Sequence, residues 1–192
     1  MVDEAQASAY RGLIDIGLAL SAEKNLDSLL EHILLEAKSM ANADRGTIYL
    51  RAGKDALKFS IVLNDSLGIT QGGKTGDPIT LPDVLLVTAE GKPNFANIAS
   101  CAVQRGETIV VDDARAETEF DFSGTRSFDE MLGYRSTSFL SVPLKTMSDE
   151  SIGVLQLLNA LDENGEVIPF PREIVPLIEA LTKLSEAHII LK

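Results

Sequence analysis

The residues best suited to do chemistry lie in a glycine-rich segment that matches a phosphate-binding loop. Residues 68–75 read GITQGGKT, which fits the pattern G-x-x-x-x-G-K-[ST]. In such a loop, backbone N–H groups and the lysine, here Lys74, hold the phosphates of a nucleotide. The apolar run IVVDD at 109–113 resembles the strand whose final aspartate would hold magnesium. Taken alone, the two segments indicate a nucleotide hydrolase.

The residues that follow this motif argue against a phosphate loop. A helix must leave such a loop, because the helix N-terminus directs its free N–H groups at the phosphates. Here Thr75 is followed by Gly76, Asp77 and Pro78, which interrupt regular structure. The strands also form hairpins rather than the βαβ units of a parallel sheet. Nucleotide hydrolysis is therefore a distant alternative.

Other catalytic and metal-binding patterns are missing from the sequence. It contains two histidines, His32 and His188, and one cysteine, Cys101. No serine or cysteine has a plausible histidine partner, and no cluster has the spacing of metal ligands. Cys101 stands among small residues and is expected to be a buried core thiol. We therefore expect neither enzymatic activity nor a bound metal.

The composition limits the class of protein and its partners. The 192 residues are 45% hydrophobic and 24% charged, as in a soluble globular protein with one core. The net charge of -12 disfavours nucleic acid and anionic lipid as partners. No membrane insertion is expected, since the apolar stretch LIDIGLALSA is too short to span a bilayer. With one cysteine and no apolar signal segment, a cytoplasmic location is expected.

Helical periodicity marks both ends of the chain. Two apolar stripes with i, i+3, i+4, i+7 spacing come first, and Asn25 is placed to cap the second. These stripes are Tyr10, Leu13, Ile14, Gly17 and Leu18, then Leu26, Leu29, Leu30, Ile33 and Leu34. The chain closes on a helix after Pro171 with heptad spacing at Ile174, Leu177, Leu181, Leu184, His188 and Leu191. This spacing favours a dimer bundle, while a helix packed only on its own sheet stays open as the alternative.

Between these helices the pattern predicts antiparallel strands. TIYLRAG and ALKFSIVLN form a hairpin around residues 53–55, and FLSVPLK and SIGVLQLLNA form another around residues 146–150. ETIVVDD is a further strand, and a short helix is predicted from Ile98, with Asn97 as its cap and Gly106 as its stop. Residues 65–93 form a long excursion of the kind that is often functional. This arrangement indicates an α+β domain with an antiparallel sheet.

Three segments occur in order along the chain: GETIVVDDA, FDFSGTRSFDEMLGYRSTSFLSVPL and IGVLQLLNA. We interpret the second as an acidic, aromatic turn segment running into a strand. Together they resemble the GAF domain, a small-molecule sensing module of cyclic-nucleotide phosphodiesterases, adenylyl cyclases and bacterial signalling proteins. The resemblance implies a six-stranded antiparallel sheet, with a ligand pocket on one face and terminal helices packed on the other. Residues 1–24 would be an N-terminal helix, and residues 25–192 the domain with its C-terminal signalling helix.

The resemblance also implies which residues contact a ligand. They are Thr47, Val62, Asn64, Ile98, Ala99, Asp129, Ser136 and Gln156. The opening of the helix at Ile98 and Ala99 would seat an anion, and Asp129 and Gln156 would accept hydrogen bonds from the ligand. Alternatively, Asp129 caps its own turn and the sheet satisfies Gln156. No cofactor is certain, and a cyclic nucleotide or another small anionic ligand is the expected class.

The sequence departs from the nucleotide-binding members of this family. Asn159 and Phe170 of their N-K-F-D-E signature are present, but Ala160 replaces the lysine, and Ile174 and Val175 replace the acidic pair. The lysine-to-aspartate bridge that braces their pocket cannot form. A single cysteine argues against methionine sulfoxide reduction, and no cysteine and histidine stand together for a bilin.

The expected function is that of a regulatory sensor. A small molecule would close the loops at 65–93 and 117–135, and its occupancy would pass through the terminal helices of a homodimer to an output domain in a parent protein. The alternative is an interaction module that binds no ligand, with its pocket filled by Phe120, Phe122, Phe128 and Met131.

Overall fold

The computed structural model describes residues 11, 12, 14, 17, 25–74 and 76–189, with side chains of the last helix described through Lys183. Its helices are α1 (Leu26–Met40), α2 (Ile98–Arg105), α3 (Ser123–Leu132) and α4 (Val175–Ile189), the last preceded by a 3₁₀ turn at Arg172–Ile174. Its strands are β1 (Ala43–Ala52), β2 (Ala56–Asn64), β3 (Ile69–Gly72), β4 (Val84–Leu85), β5 (Ile109–Val111), β6 (Phe139–Lys145), β7 (Ser151–Leu161) and β8 (Val167–Ile168).

These strands form one antiparallel sheet in the order β3-β2-β1-β7-β6-β5. The six strands of this path confirm the predicted sheet. The residue pattern does not place three short strands: β3, which completes the six-stranded path, β4, which pairs with β2, and β8, which pairs with β7. The excursion at 65–93 thus adds β3 and β4 to the edge of the sheet. Both predicted hairpins form, with turns at 53–55 and 146–150.

One face of the sheet is covered by α1 and α4. The predicted stripe of α1 is buried, since Leu29, Leu30, Ile33 and Leu34 are at most 1% exposed. Asn25 caps this helix as predicted, because its Oδ1 accepts a hydrogen bond from the Ser28 N–H at 3.1 Å. The first apolar stripe lies largely outside the described residues, which include Ile14 and Gly17 from it.

The described part of α4 packs on its own sheet. Ile178 and Leu181 are fully buried in the core shared with α1, whereas Leu177 is half-buried. This contact supports the simpler interpretation for this part of the helix. The side chains of Leu184, His188 and Leu191, which continue the heptad pattern, lie outside the described residues, so the dimer stays a prediction.

The other face of the sheet is covered by α2 and α3. Gly106 ends α2 in the left-handed conformation, as predicted. Asn97 occupies the N-cap position, but its side chain makes no capping hydrogen bond. The Asn97 side chain lies instead against Gly124 of α3. A Cβ atom at position 124 would be only 2.4 Å from the Asn97 Nδ2, so there is no room for a side chain there. The starts of α2 and α3 are therefore in close contact.

The segment interpreted as an acidic turn contains a helix, α3, which corrects that expectation. Asp121 accepts hydrogen bonds from the Ser123 N–H at 2.8 Å and its hydroxyl at 2.9 Å, so the carboxylate satisfies groups at the helix start. Gly133 ends the helix in the left-handed conformation. No residue of α3 is fully buried, which sets it apart from α1 and α2.

Candidate functional site

A small cavity lies between the sheet and the two helices α2 and α3. Its volume is about 20 Å³. The residues lining it are Arg45, Tyr49, Asn97, Ala99, Thr125, Phe128, Asp129, Ser136, Phe139, Gln156 and Leu158. Side chains alternate between the two faces of a strand, so Arg45 and Tyr49 of β1 and Gln156 and Leu158 of β7 lie on the α2/α3 face.

Four of the eight predicted ligand residues line this cavity: Ala99, Asp129, Ser136 and Gln156. The others do not. Val62 and Ile98 are buried apolar residues of the α2/α3 core. Asn64 closes the turn after β2, where its Oδ1 accepts hydrogen bonds from the Leu67 N–H and the Ser66 hydroxyl. Thr47 is fully buried beside Gln156 in the sheet, and its Oγ1 has no hydrogen-bond partner in the described structure.

Gln156 sits at the centre of a polar row across the sheet. Its backbone is in register with Thr47 of β1 and Ser141 of β6. Its Nε2 donates to the Ser141 Oγ at 2.9 Å, and the Tyr49 hydroxyl donates to its Oε1 at 3.2 Å. Burial raises the pKa of that tyrosine above its ordinary value, so the hydroxyl stays protonated and can donate. The amide is thus held by sheet side chains, as the alternative interpretation expected.

Asp129 fixes the polypeptide that leaves α3. Its two carboxylate oxygens accept hydrogen bonds from the Ser136 N–H at 2.8 Å and the Ser136 hydroxyl at 2.7 Å. Two predicted ligand residues therefore bond to each other across the turn, as in the capping alternative. Carboxylate oxygens have more than two acceptor positions, so Asp129 can still accept a hydrogen bond from a ligand.

Aromatic side chains occupy much of the space above the sheet. The Phe128 ring meets the Phe59 ring edge-on, with 5.4 Å between the ring centroids. The Tyr49 ring centroid lies 4.7 Å from the Phe59 ring centroid. Phe122 is 4% exposed and packs against Phe139. The cavity that remains has room for about one water molecule. A nucleotide does not fit unless α3 moves, because ligand pockets measure roughly 300–1,000 Å³.

The other two residues expected to fill the pocket lie elsewhere. Met131 is 58% exposed on the outer surface of α3. Phe120 lies beneath the guanidinium of Arg105, whose Cζ is 5.0 Å from the ring centroid. The space between the sheet and α2/α3 is therefore occupied by Phe122 and Phe128, together with Tyr49 and Phe59 from the sheet.

Arg45 is a charged lining residue that sequence reasoning missed. It is 3% exposed, and its Nε has no hydrogen-bond partner. Its Cζ lies 5.6 Å from the centroid of the Tyr134 ring, a cation-π contact. The sequence spacing could have identified Arg45, because it precedes the predicted ligand residue Thr47 by two positions and therefore shares its face of β1.

A hydrogen-bonded network is built around Tyr134 and Asn159 in a chain that cannot form the lysine-to-aspartate bridge. The Tyr134 hydroxyl donates to the Asp44 Oδ2 at 2.8 Å and accepts from the Asn159 Nδ2 at 2.9 Å. Asn159 also accepts from the N–H groups of Thr137 and Ser138. Burial and the neighbouring Asp44 carboxylate raise the pKa of Tyr134 well above its ordinary value, so the hydroxyl remains a donor. This network braces the segment after α3 against β1 and β7.

The phosphate-loop pattern does not form a phosphate loop. Its central residues form β3, an edge strand of the antiparallel sheet. The backbone N–H of Lys74 donates to the Glu31 carboxylate at 3.0 Å rather than facing a free anion site. Residues 76–80 are not helical, so the essential context of the motif is missing. These contacts support the interpretation of the match as coincidental.

Cys101 is the buried thiol that the sequence predicted. It is 1% exposed, and its Sγ donates to the Phe95 carbonyl at 3.3 Å. Burial raises the pKa of the thiol to about 11, which keeps it protonated and unreactive. Among the described residues, no group of three or more histidine, cysteine, aspartate or glutamate side chains could hold a metal ion.

A larger open groove, of about 510 Å³, lies on the opposite side of the sheet beside α4. Four of its polar side chains are already paired with one another. Lys145 bonds to Asp149 at 2.8 Å, and Thr108 donates to Glu179 at 2.6 Å. The small cavity is the better candidate because its polar groups converge from the sheet, α2 and α3.

Comparison with known proteins identifies the family. The family model for the GAF domain matches residues 25–189, and the chain belongs to that family. A curated relative, the Dual 3',5'-cyclic-AMP and -GMP phosphodiesterase 11 of Drosophila melanogaster, is 27% identical over 148 residues, which cover 75% of this chain and 9% of the relative. The cGMP-specific 3',5'-cyclic phosphodiesterase of the same species is 24% identical over 137 residues, covering 71% of this chain and 11% of the relative. The chain thus spans about a tenth of the length of these relatives.

Solved structures have the same fold. The GAF domain of an Acinetobacter phosphoenolpyruvate-protein phosphotransferase aligns with a TM-score of 0.65 and 14% identity, covering 96% of this chain and 94% of that one. The free methionine-R-sulfoxide reductase of Neisseria meningitidis, solved with its substrate, aligns with a TM-score of 0.65 and 18% identity over 99% and 93% of the two chains. At these identities the likeness concerns the fold. Domains of this family are regulatory modules, which is consistent with a sensor role.

Within the described ranges, no helix has the length and apolar character needed to cross a membrane.

Proposed function

We propose that this chain is the regulatory sensor domain of a longer signalling protein and catalyses no reaction itself. A small molecule would bind between the sheet and α2/α3, and its occupancy would pass through the terminal helices of a homodimer to an output domain. The observation that carries this proposal is the convergence of Asp129, Ser136 and Gln156 on one cavity with Ala99 at the start of α2. The acidic sequence with its single cysteine makes the cytoplasm the proposed location.

Ligand entry would require α3 to move away from the sheet. Three contacts hold α3 in place: the Phe128 ring on Phe59, the bonds of Asp129 to Ser136, and the Gly124 N–H to the Ala96 carbonyl at 2.9 Å. Segments with little buried apolar surface open at a lower free-energy cost than the core. Since no residue of α3 is fully buried, we propose that this helix opens and that a ligand selects the open state.

The strand β7 would carry the change to the opposite face. Gln156 faces the cavity, whereas its neighbours Leu155 and Leu157 are fully buried in the core with Ile178 and Leu181. A displacement of β7 by the ligand therefore repacks the surface on which α4 sits. Because close-packed cores resist continuous deformation, a small shift is expected to change the helix orientation in discrete steps.

A thermal-shift screen with matched variants tests ligand binding. The compounds should include cyclic mononucleotides, cyclic dinucleotides, small carboxylates and neutral metabolites, and the phosphodiesterase relatives make cyclic nucleotides the first to try. A compound that binds the native state at 100 times its Kd stabilises it by about 2.7 kcal/mol. We expect the shift in Tm to be reduced in Asp129→Asn and retained in Asp55→Asn, whose side chain is exposed on the β1–β2 turn. Equal shifts in both variants would refute this site.

An interaction module that binds no ligand is the second candidate, and the cavity of about 20 Å³ favours it. Hydrogen exchange distinguishes the two functions. In the sensor, the amides of α3 should exchange by local opening well below the free energy of global unfolding. In the module, α3 should exchange only with global unfolding, and no compound should bind.

A further inference from the structure

We propose that Arg45 binds an oxyanion of the ligand, a carboxylate or a phosphate. This inference rests on the proposed function and defines the ligand's chemical class. It moves the anion site expected at Ile98 and Ala99 onto a side chain of β1. The starting observation is that a buried guanidinium lines the cavity without an acidic partner.

The guanidinium lacks the partners that buried charges require. Arg45 is 3% exposed, its Nε is unbonded, and it takes part in no ion pair among the described residues. Burial of an unpaired charge destabilises a fold, so such groups are normally matched by an opposite charge. An anionic ligand would supply the missing charge.

Two carboxylates, one next to Arg45 in sequence and one lining the same cavity, are engaged elsewhere. Asp44, next in sequence, accepts hydrogen bonds from the Tyr134 hydroxyl, the Ser66 N–H and the Ser66 hydroxyl. Asp129, on the wall of the same cavity, accepts its two bonds from Ser136. Neither lies within ion-pair distance of Arg45, and each is held in place by its own donors.

The surroundings of Arg45 suit an oxyanion. Its Cζ lies 5.6 Å from the Tyr134 ring centroid, and Tyr134 is itself fixed by Asp44 and Asn159. An orientated guanidinium offers two parallel N–H groups that match a carboxylate or phosphate. Asn97 and Ala99 at the start of α2 line the same cavity, where the helix dipole also favours negative charge. Asp129 also lines this cavity, so the oxyanion would occupy its Arg45 end, in the space that opens when α3 moves away from the sheet.

The test compares the wild type with Arg45→Met in sodium chloride, sodium phosphate and sodium acetate at equal ionic strength. We expect phosphate, acetate or both to raise the wild-type Tm saturably above its value in chloride, and the responding anion identifies the group. Arg45→Met should lose this response and keep or raise its Tm in chloride, because an apolar side chain replaces an unpaired buried charge. Arg115→Met, which alters an exposed arginine, should respond like the wild type.

Arg45→Lys covers the case in which Arg45→Met does not fold. The lysine keeps the positive charge but cannot form the bidentate pair of hydrogen bonds that a guanidinium forms. Because one charge-assisted hydrogen bond is lost, the apparent Kd for the responding anion should rise about tenfold. The inference is overturned if neither anion shifts the wild type beyond chloride, or if the arginine variants respond like the wild type.

The results also separate this inference from the proposed function. A neutral compound that binds in an Asp129-dependent manner, without any oxyanion response, would support the sensor and refute the role of Arg45. An oxyanion response lost in Arg45→Met, with no organic compound bound from the screen, would support the Arg45 site and refute the sensor.

Discussion

The brace around Tyr134 is expected to contribute measurably to stability, and Tyr134→Phe tests it. The substitution removes one hydroxyl that donates to the Asp44 carboxylate at 2.8 Å and accepts from Asn159 at 2.9 Å. A hydrogen bond to a charged group contributes about 1.5–3 kcal/mol and a neutral one about 0.5–1.5 kcal/mol. The sum is an upper bound, since the side chain is half-buried and both partners keep other bonds.

Those remaining bonds set the expected magnitude. Asp44 still accepts from the Ser66 N–H at 3.0 Å and hydroxyl at 2.8 Å, and Asn159 still donates to the Arg135 carbonyl at 2.8 Å. Neither partner is left unsatisfied, so we expect the free energy of unfolding to fall by about 2 kcal/mol. Urea denaturation should show this as a midpoint lower by about 1 M, for a slope near 2 kcal/mol/M.

Tyr49→Phe is the comparison variant, because it removes the same group from a buried ring. Its hydroxyl donates a neutral bond to the Gln156 Oε1 at 3.2 Å, and the substitution leaves that buried oxygen without this donor, so the expected loss is about 1–3 kcal/mol. If Tyr134→Phe lowered the free energy of unfolding by less than about 0.5 kcal/mol, the argument that this network braces the segment after α3 would be refuted.

Three further outcomes are expected. Ile178→Ala should destabilise the protein by about 2–5 kcal/mol in urea denaturation, because the side chain is fully buried. Leu177→Ala should destabilise it less, since Leu177 is half-buried. Equal losses of stability would contradict the packing of α4 described above. Burial raises the folded-state pKa of Cys101 from 9.0 to about 11, so the unfolded thiol ionises first and stability should fall as the pH rises through this window. Cys101→Ala should abolish that part of the pH dependence, and rapid labelling of the native thiol at pH 8 would contradict its burial. Lys74→Ala should leave any binding of ATP with magnesium unchanged in calorimetry, since the segment forms a strand, and a loss of such binding would restore the hydrolase hypothesis.

The predictions that succeeded depended on local signals. The apolar stripe of α1 has helical spacing, the residues at 53–55 favour a turn, and Gly106 adopts the left-handed conformation that ends a helix. Each of these features is decided by residues within one or two turns of chain. Matching three ordered segments to a family then indicated the topology of the sheet, which local pattern alone leaves open.

The helix α3 shows where local reasoning failed. Its sequence is acidic and aromatic with small polar residues, and its apolar side chains are confined to Phe128, Met131 and Leu132 near its C-terminal end, so the apolar positions do not repeat along the segment. Its helical state is supported by contacts with distant segments, such as the Phe128 ring on Phe59 and the Gly124 N–H on the Ala96 carbonyl. Such contacts cannot be read from the spacing within the segment.

By itself the sequence determined the α+β class, the strands and helices of the core, and four residues that line the cavity. The tertiary structure decided the rest: the closed volume, the position of Arg45 over the Tyr134 ring, and the network that braces the segment after α3. The physical reason is distance along the chain. Asp44 and Tyr134 are separated by 90 residues, and only the folded sheet brings a carboxylate and a hydroxyl so far apart in sequence to 2.8 Å.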